Sequence, residues 1–95
     1  MGNVRLKPER LGEKLRQIRL ALGLSQSEML RRLEAEDIIT YHQISGYESG
    51  KREPPLPILL RYARAAGVSM ETLADDELDL PAKLPAKPKY TRRPL

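Results

Sequence analysis

This 95-residue chain has a single histidine, His42, and no cysteine. A lone imidazole without thiolate partners cannot assemble a zinc site or a nucleophile–base pair. There is no glycine-rich phosphate loop and no carboxylate pair in a setting suited to acid–base work. The chain is therefore expected not to be an enzyme and to need neither metal nor cofactor. What remains is noncovalent chemistry. Neutral imidazole can donate or accept a hydrogen bond, and charged imidazole donates twice. Tyr41 and Ser45 flank His42 with hydroxyls, and Lys51-Arg52 places two fixed positive charges a few residues on. Arg19 and Glu48, taken alone, read as ordinary solvated charges.

Such side chains act only if a rigid element presents them, and the spacing supplies helices. Leu11, Leu15, Ile18 and Leu22 recur at 4, 3 and 4 residues, one apolar stripe on a helix from about Glu9 to Leu22, stopped by Gly23. Ser25-Gln26-Ser27-Glu28 has the form of a capping box, with Leu24 and Met29 as its hydrophobic staple. The helix it opens runs through Leu30 and Leu33, and its end is left open by Glu34-Ala35-Glu36. Thr40-Tyr41-His42-Gln43 repeats the device fifteen residues later, stapled by Ile39 and Ile44. It opens a helix from Tyr41 to Ser49, ended by Gly50. The apolar side of this helix is Ile44 and Tyr47, so Tyr41, His42 and Ser45 fall mostly off that side. Gly46 within it costs about 1 kcal/mol relative to alanine, which suits a close approach to the backbone.

Pro54-Pro55-Leu56-Pro57 is a rigid elbow, with Pro57 placed to begin a fourth helix that Gly67 ends. Ser69 caps a short fifth helix from Met70 to about Asp76. Tyr47 and Tyr62 are expected in the core with their hydroxyls at the surface. From Leu80 onward Pro81, Pro85, Pro88 and Pro94 oppose regular structure, so an extended, mobile tail is expected.

Composition agrees with helices. The chain lacks Phe and Trp, and its aromatics are four Tyr, so Leu, Ile, Val, Met and Ala must build a single modest core. The net charge of +4 resides in residues 79–95, since residues 1–78 balance. Within the balanced part, residues 1–32 hold eight basic and three acidic groups. This allows a basic face without demanding one. No run approaches the roughly 20 apolar residues that span a bilayer, and charged residues break any apolar signal segment near the start. Leu6 stands where a myristoylation signal wants Ser or Thr. No membrane association is expected.

In order, Arg19, Gly23-Leu24-Ser25-Gln26-Ser27-Glu28, Thr40 to Ile44, Tyr47-Glu48-Ser49-Gly50-Lys51-Arg52-Glu53-Pro54 and Ala63 to Leu73 resemble the Cro and phage-repressor class of helix-turn-helix domain, the XRE type. The likeness spans about residues 9–76. It implies an all-α, five-helix bundle, with residues 1–8 as an N-terminal arm, 9–78 as the helix-turn-helix domain and 79–95 as a basic, proline-rich tail. It implies that the second and third helices form the helix-turn-helix and that the third enters the major groove. Base contacts would then come from Tyr41, His42, Ser45 and Gly46. Backbone contacts would come from Gln26, Thr40, Gln43, Ser49, the Gly50 N–H, Lys51 and Arg52. Arg19 and Glu48 would be an ion pair tying the first helix to the third. Two features depart from the pattern: an insertion of about four residues within Glu34 to Ile39, and Leu30 where a small residue is usual. Both imply a longer second helix or a wider turn, and the insertion's acidic residues should face away from phosphate.

The resemblance implies a cytoplasmic, sequence-specific DNA-binding regulator of bacterial or phage type, a repressor in the first instance. It would bind double-stranded DNA as a homodimer, with half-sites about 34 Å apart. Tyr90 among Lys87, Lys89, Arg92 and Arg93 could stack on a base or enter a groove, against a plain solubilising tail. The rival reading is an antitoxin-like or other interaction module whose tail binds a protein partner. DNA binding by residues 1–78 alone discriminates the two.

Overall fold

In the computed structural model, which describes residues 7–85, the chain folds into five helices with no strand among those residues: α1 (Leu11–Ala21), α2 (Gln26–Arg32), α3 (Tyr41–Ser49), α4 (Leu56–Ala66) and α5 (Met70–Ala74). The all-α architecture agrees with the expectation. Their shared core is aliphatic, with Leu15, Ile18, Met29, Ile44, Ile58 and Leu73 fully enclosed and Tyr47 and Tyr62 beside them. Residues 1–6 and the tail residues Lys87, Lys89, Tyr90, Arg92 and Arg93 lie outside the described part.

Local signals explain most helix ends. Ser25 Oγ accepts from the Glu28 N–H at 3.0 Å while Glu28 Oε1 accepts from the Ser25 N–H at 2.8 Å. Thr40 and Gln43 form the second capping box, in which Gln43 Oε1 accepts from the Thr40 N–H at 3.1 Å. Both staples are in place: Met29, Ile39 and Ile44 are buried, and Leu24 packs against the core. Gly23, Gly50 and Gly67 close α1, α3 and α4 in the left-handed conformation.

Helix α2 ends at Arg32, so the departure from the family pattern is met by a wider turn rather than a longer helix. Glu34 takes the left-handed conformation (φ 57°) that glycine usually fills. Its N–H bonds to the Arg31 carbonyl at 2.9 Å, and the Ala35 N–H reaches the Leu30 carbonyl at 3.2 Å. This is the paired closure that satisfies the last free carbonyls of a helix. Ala35 and Ile39 are buried and anchor the turn, while Glu36, Asp37 and Ile38 stay exposed. Arg61 of α4 donates to the carbonyls of Leu33 and Glu34 at 3.2 and 2.7 Å, which pins the turn to α4. Leu30 packs at the core edge.

Other boundaries differ from expectation. Leu56 is the first residue of α4 and Pro57 the second; neither position needs a donor that proline would remove. Helix α5 stops at Ala74 because Asp75 turns extended, freeing Asp76 to reach the start of α1. There Asp76 accepts from the Glu9 and Arg10 N–H groups at 2.9 and 3.0 Å. Glu9 and Arg10 therefore precede α1 rather than belong to it. The Tyr62 hydroxyl, expected at the surface, is buried and has no hydrogen-bond partner among the described residues. Among the described residues after 78 none is helical, and Leu80 and Leu84 pack against the core.

Candidate nucleic-acid interface

Helix α3 is two-sided. Ile44 and Tyr47 enter the core, while Tyr41, His42, Ser45 and Ser49 are exposed. At its N-terminal end the Tyr41 and His42 rings stack, centroids 4.2 Å apart and tilted by 30°. The result is an exposed aromatic step carrying a hydroxyl and an imidazole. Ser45 stands in solvent one turn beyond. Thr40 is exposed ahead of the helix, and Gln43 is half-buried with its side-chain oxygen engaged in the cap.

Gly46 has a specific neighbour. A methyl carbon there would lie 2.9 Å from Arg52 Cδ and 3.1 Å from Arg52 Cγ. The aliphatic stem of Arg52 thus occupies the space that the missing side chain leaves. The Gly46 carbonyl also accepts from the Lys51 and Arg52 N–H groups at 3.0 and 3.1 Å and from Ser49 Oγ at 3.2 Å. Gly50, with φ 82°, makes this reversal possible. The outcome is a tight loop that holds two cations, Lys51 and Arg52, at the end of α3. Burial pushes the Tyr47 phenol pKa up, against the opposing pull of the Arg52 charge and a hydrogen bond with Gln43.

Beneath this face lies a polar network that fixes how α3 sits. Arg19 Nε donates to Glu48 Oε2 at 2.7 Å and Arg19 Nη2 to Glu48 Oε1 at 3.0 Å, a two-pronged pair between α1 and α3. The Arg19 side chain is 12% exposed and that of Glu48 5%. Arg19 Nη1 also donates to the Leu24 carbonyl at 3.0 Å, and Gln26 Nε2 donates to Glu48 Oε1 at 3.3 Å. The Arg19–Glu48 pair therefore joins α1, the turn before α2, the start of α2 and α3. The bond to Glu48 raises the Arg19 pKa further. The desolvation of such a pair offsets much of its attraction, so its worth is orientation more than stability.

Several positioning residues lie outside the set expected from the sequence. A methyl carbon at Gly12 would lie 2.7 Å from the Tyr47 carbonyl oxygen and 2.9 Å from that of Glu48, so α1 touches the backbone of α3 there. Lys14 is 1% exposed, and its ammonium donates to the Thr72 and Asp75 carbonyls at 2.8 Å each. A signal for Lys14 did exist: it shares the face of Leu11, Leu15 and Ile18, where a charge must find partners. Lys7 Nζ lies 3.4 Å from the Gly50 carbonyl. Among the described residues no group of three or more His, Asp or Glu side chains could hold a metal ion, and no helix is long and apolar enough to cross a membrane.

The helix-turn-helix domain family matches residues 10–76, about two-thirds of the sequence. The chain belongs to that family. In this helix-turn-helix chain the match takes in every site residue named above except Lys7. Among solved structures, it resembles the P22 c2 repressor protein, solved in complex with synthetic operator 9T. The TM-score is 0.60 and the identity 24%, over 70% of this chain and 94% of that one. At that identity the likeness concerns the fold. No curated protein sequence matches significantly.

Proposed function

We propose that this chain is a sequence-specific DNA-binding regulator, a repressor in its simplest form, that reads the major groove with α3. The observation that carries this is the rigid seating of α3: its inner face is fixed by the Arg19–Glu48–Gln26 network while Tyr41, His42 and Ser45 stand exposed. A helix held this way presents side chains to base edges without first ordering them. In this reading Tyr41, His42 and Ser45 contact bases. Gly46 contributes through its small size, with the Arg52 stem lying over it. Thr40, Gln43, Gln26, Ser49, the Gly50 N–H, Lys51 and Arg52 hold the sugar–phosphate backbone. None of the readers forms the two-pronged contacts that give about 1–3 kcal/mol per base, so affinity rests mainly on phosphate contacts. The protein acts as a homodimer on an inverted repeat. Pinning of the acidic turn to α4 by Arg61 supports a placement of Glu36 and Asp37 away from the phosphates.

Selection of bound duplexes from random DNA tests this reading. An inverted repeat is the expected product. Replacing Lys51 and Arg52 with alanine should weaken binding to all duplexes alike and flatten its salt dependence by about 0.9 per lost contact. Replacing Tyr41, His42 or Ser45 should instead change which sites are preferred. Absence of any duplex binding at low salt would refute the proposal.

A further inference from the structure

We infer that Lys7 is a third cation of the phosphate grip beside Lys51 and Arg52, and that Asp76 aims it there; this rests on the reading of α3 as the DNA-facing helix. The exposed Lys7 Nζ stands 3.4 Å from the carbonyl of Gly50, the residue at which the chain reverses into Lys51 and Arg52. A hydrogen bond that long is a weak tether. An ammonium has three donors, so contact with one carbonyl leaves donors for an anion at the same loop. Three positive charges from two distant segments, residue 7 and residues 51–52, thus converge on the C-terminal end of α3.

Residues 8–10 set the direction of Lys7. Pro8 has a restricted φ. The next two N–H groups, of Glu9 and Arg10, both donate to one carboxylate, Asp76 Oδ2 at 2.9 Å and Oδ1 at 3.0 Å. The Arg10 guanidinium adds bonds to the Asp76 carbonyl and to Asp79 Oδ1, each at 2.6 Å. The chain just before α1 is thereby clamped by the segment after α5. Arg10 is neutralised by Asp79 in the process, so Lys7 is the charge this junction offers to a phosphate. Asp76 is a positioning residue; it need not touch DNA.

The test uses the full chain, mixed-sequence duplex DNA and the duplex recovered by selection, with binding measured across a salt series. Lys7→Ala should reduce the slope of log affinity against log salt by about 0.9, equally for both duplexes. Lys7→Arg should restore it. Asp76→Ala should produce the same reduction, and adding Lys7→Ala to it should produce no more, provided the circular dichroism of Asp76→Ala is that of the parent; the Lys7 variants decide if it is not. A Lys7→Ala protein with an unchanged slope, or with a lower melting temperature alone, overturns the inference and makes Lys7 a cap for the α3 carbonyls. If Lys51→Ala and Arg52→Ala flatten the slope while Lys7→Ala does not, only this inference falls. If the parent binds neither duplex, the functional reading falls and takes this inference with it.

Discussion

At the scale of single residues, the polar groups beneath α3 divide into those that are satisfied and one that is not. Glu48 accepts from Arg19 twice and from Gln26 once. The Tyr62 hydroxyl is enclosed in the same neighbourhood with no partner among the described residues, and burial first, with the nearby Glu48 charge next, pushes its pKa far up. A buried hydroxyl without a hydrogen bond contributes desolvation cost and no compensating bond. Tyr62→Phe removes that cost and preserves the ring that fills the core. Urea denaturation should show the variant as stable as the parent or more stable, by up to about 1 kcal/mol. A loss of more than that would mean that the hydroxyl is bonded in solution. The charged pair is legible from Arg19 and Glu48 only through family resemblance, because side chains 29 residues apart carry no local sign of contact. The Tyr62 hydroxyl departs from expectation because a tyrosine in an apolar stripe ordinarily keeps its polar end in water.

At the scale of the element, α3 is defined at both ends by residues next to it and along its length by residues far away. The Thr40–Gln43 box, the Ile39–Ile44 staple and Gly50 are all local. These are why its bounds, Tyr41–Ser49, can be read from the sequence. The wide turn before it is legible as a departure, but its form is not. Glu34 in the left-handed region and the Arg61 clamp depend on where α4 lies. Least visible is Gly12, which reads as an unremarkable helix position yet lies against the backbone of α3 with no room for a side chain. Gly12→Ala forces a carbon against two backbone carbonyls, which cannot swing aside as a flexible side chain would. Helix propensity favours alanine by about 1 kcal/mol, whereas overpacking costs about 1–3 kcal/mol. The steric effect should win, with net destabilisation in urea and weaker DNA binding than the parent's under conditions where both are folded. A Gly12→Ala protein that is more stable would show that α1 and α3 can separate without penalty.

At the scale of the whole molecule, the segments before α1 and after α5 meet. Asp76 and Asp79 hold the residues ahead of α1, Lys14 of α1 holds the carbonyls at the end of α5, and Leu80 and Leu84 lie on the core. Pairings across about two-thirds of the chain leave no periodic signal, and the prolines after residue 80 point to a free tail. The consequence is a defined response to acid. The N–H groups of Glu9 and then Arg10 hold the Asp76 carboxyl below its ordinary pKa, helped by the Lys14 and Arg10 charges. In the unfolded chain these partners are gone and the ordinary value returns. The folded state therefore binds its proton less readily than the unfolded state does, and its stabilisation is complete above the ordinary carboxylate range. It is lost as pH falls through the depressed value. Glu28, held down by the Ser25 N–H and hydroxyl, acts in the same direction. Asp76→Asn keeps one acceptor oxygen but cannot ionise. Its melting temperature should lie below the parent's at neutral pH and fall less steeply between neutral and strongly acidic solution, so that the two curves converge at the acid end. Curves that stayed parallel would mean that the two segments are not joined through the Asp76 carboxylate.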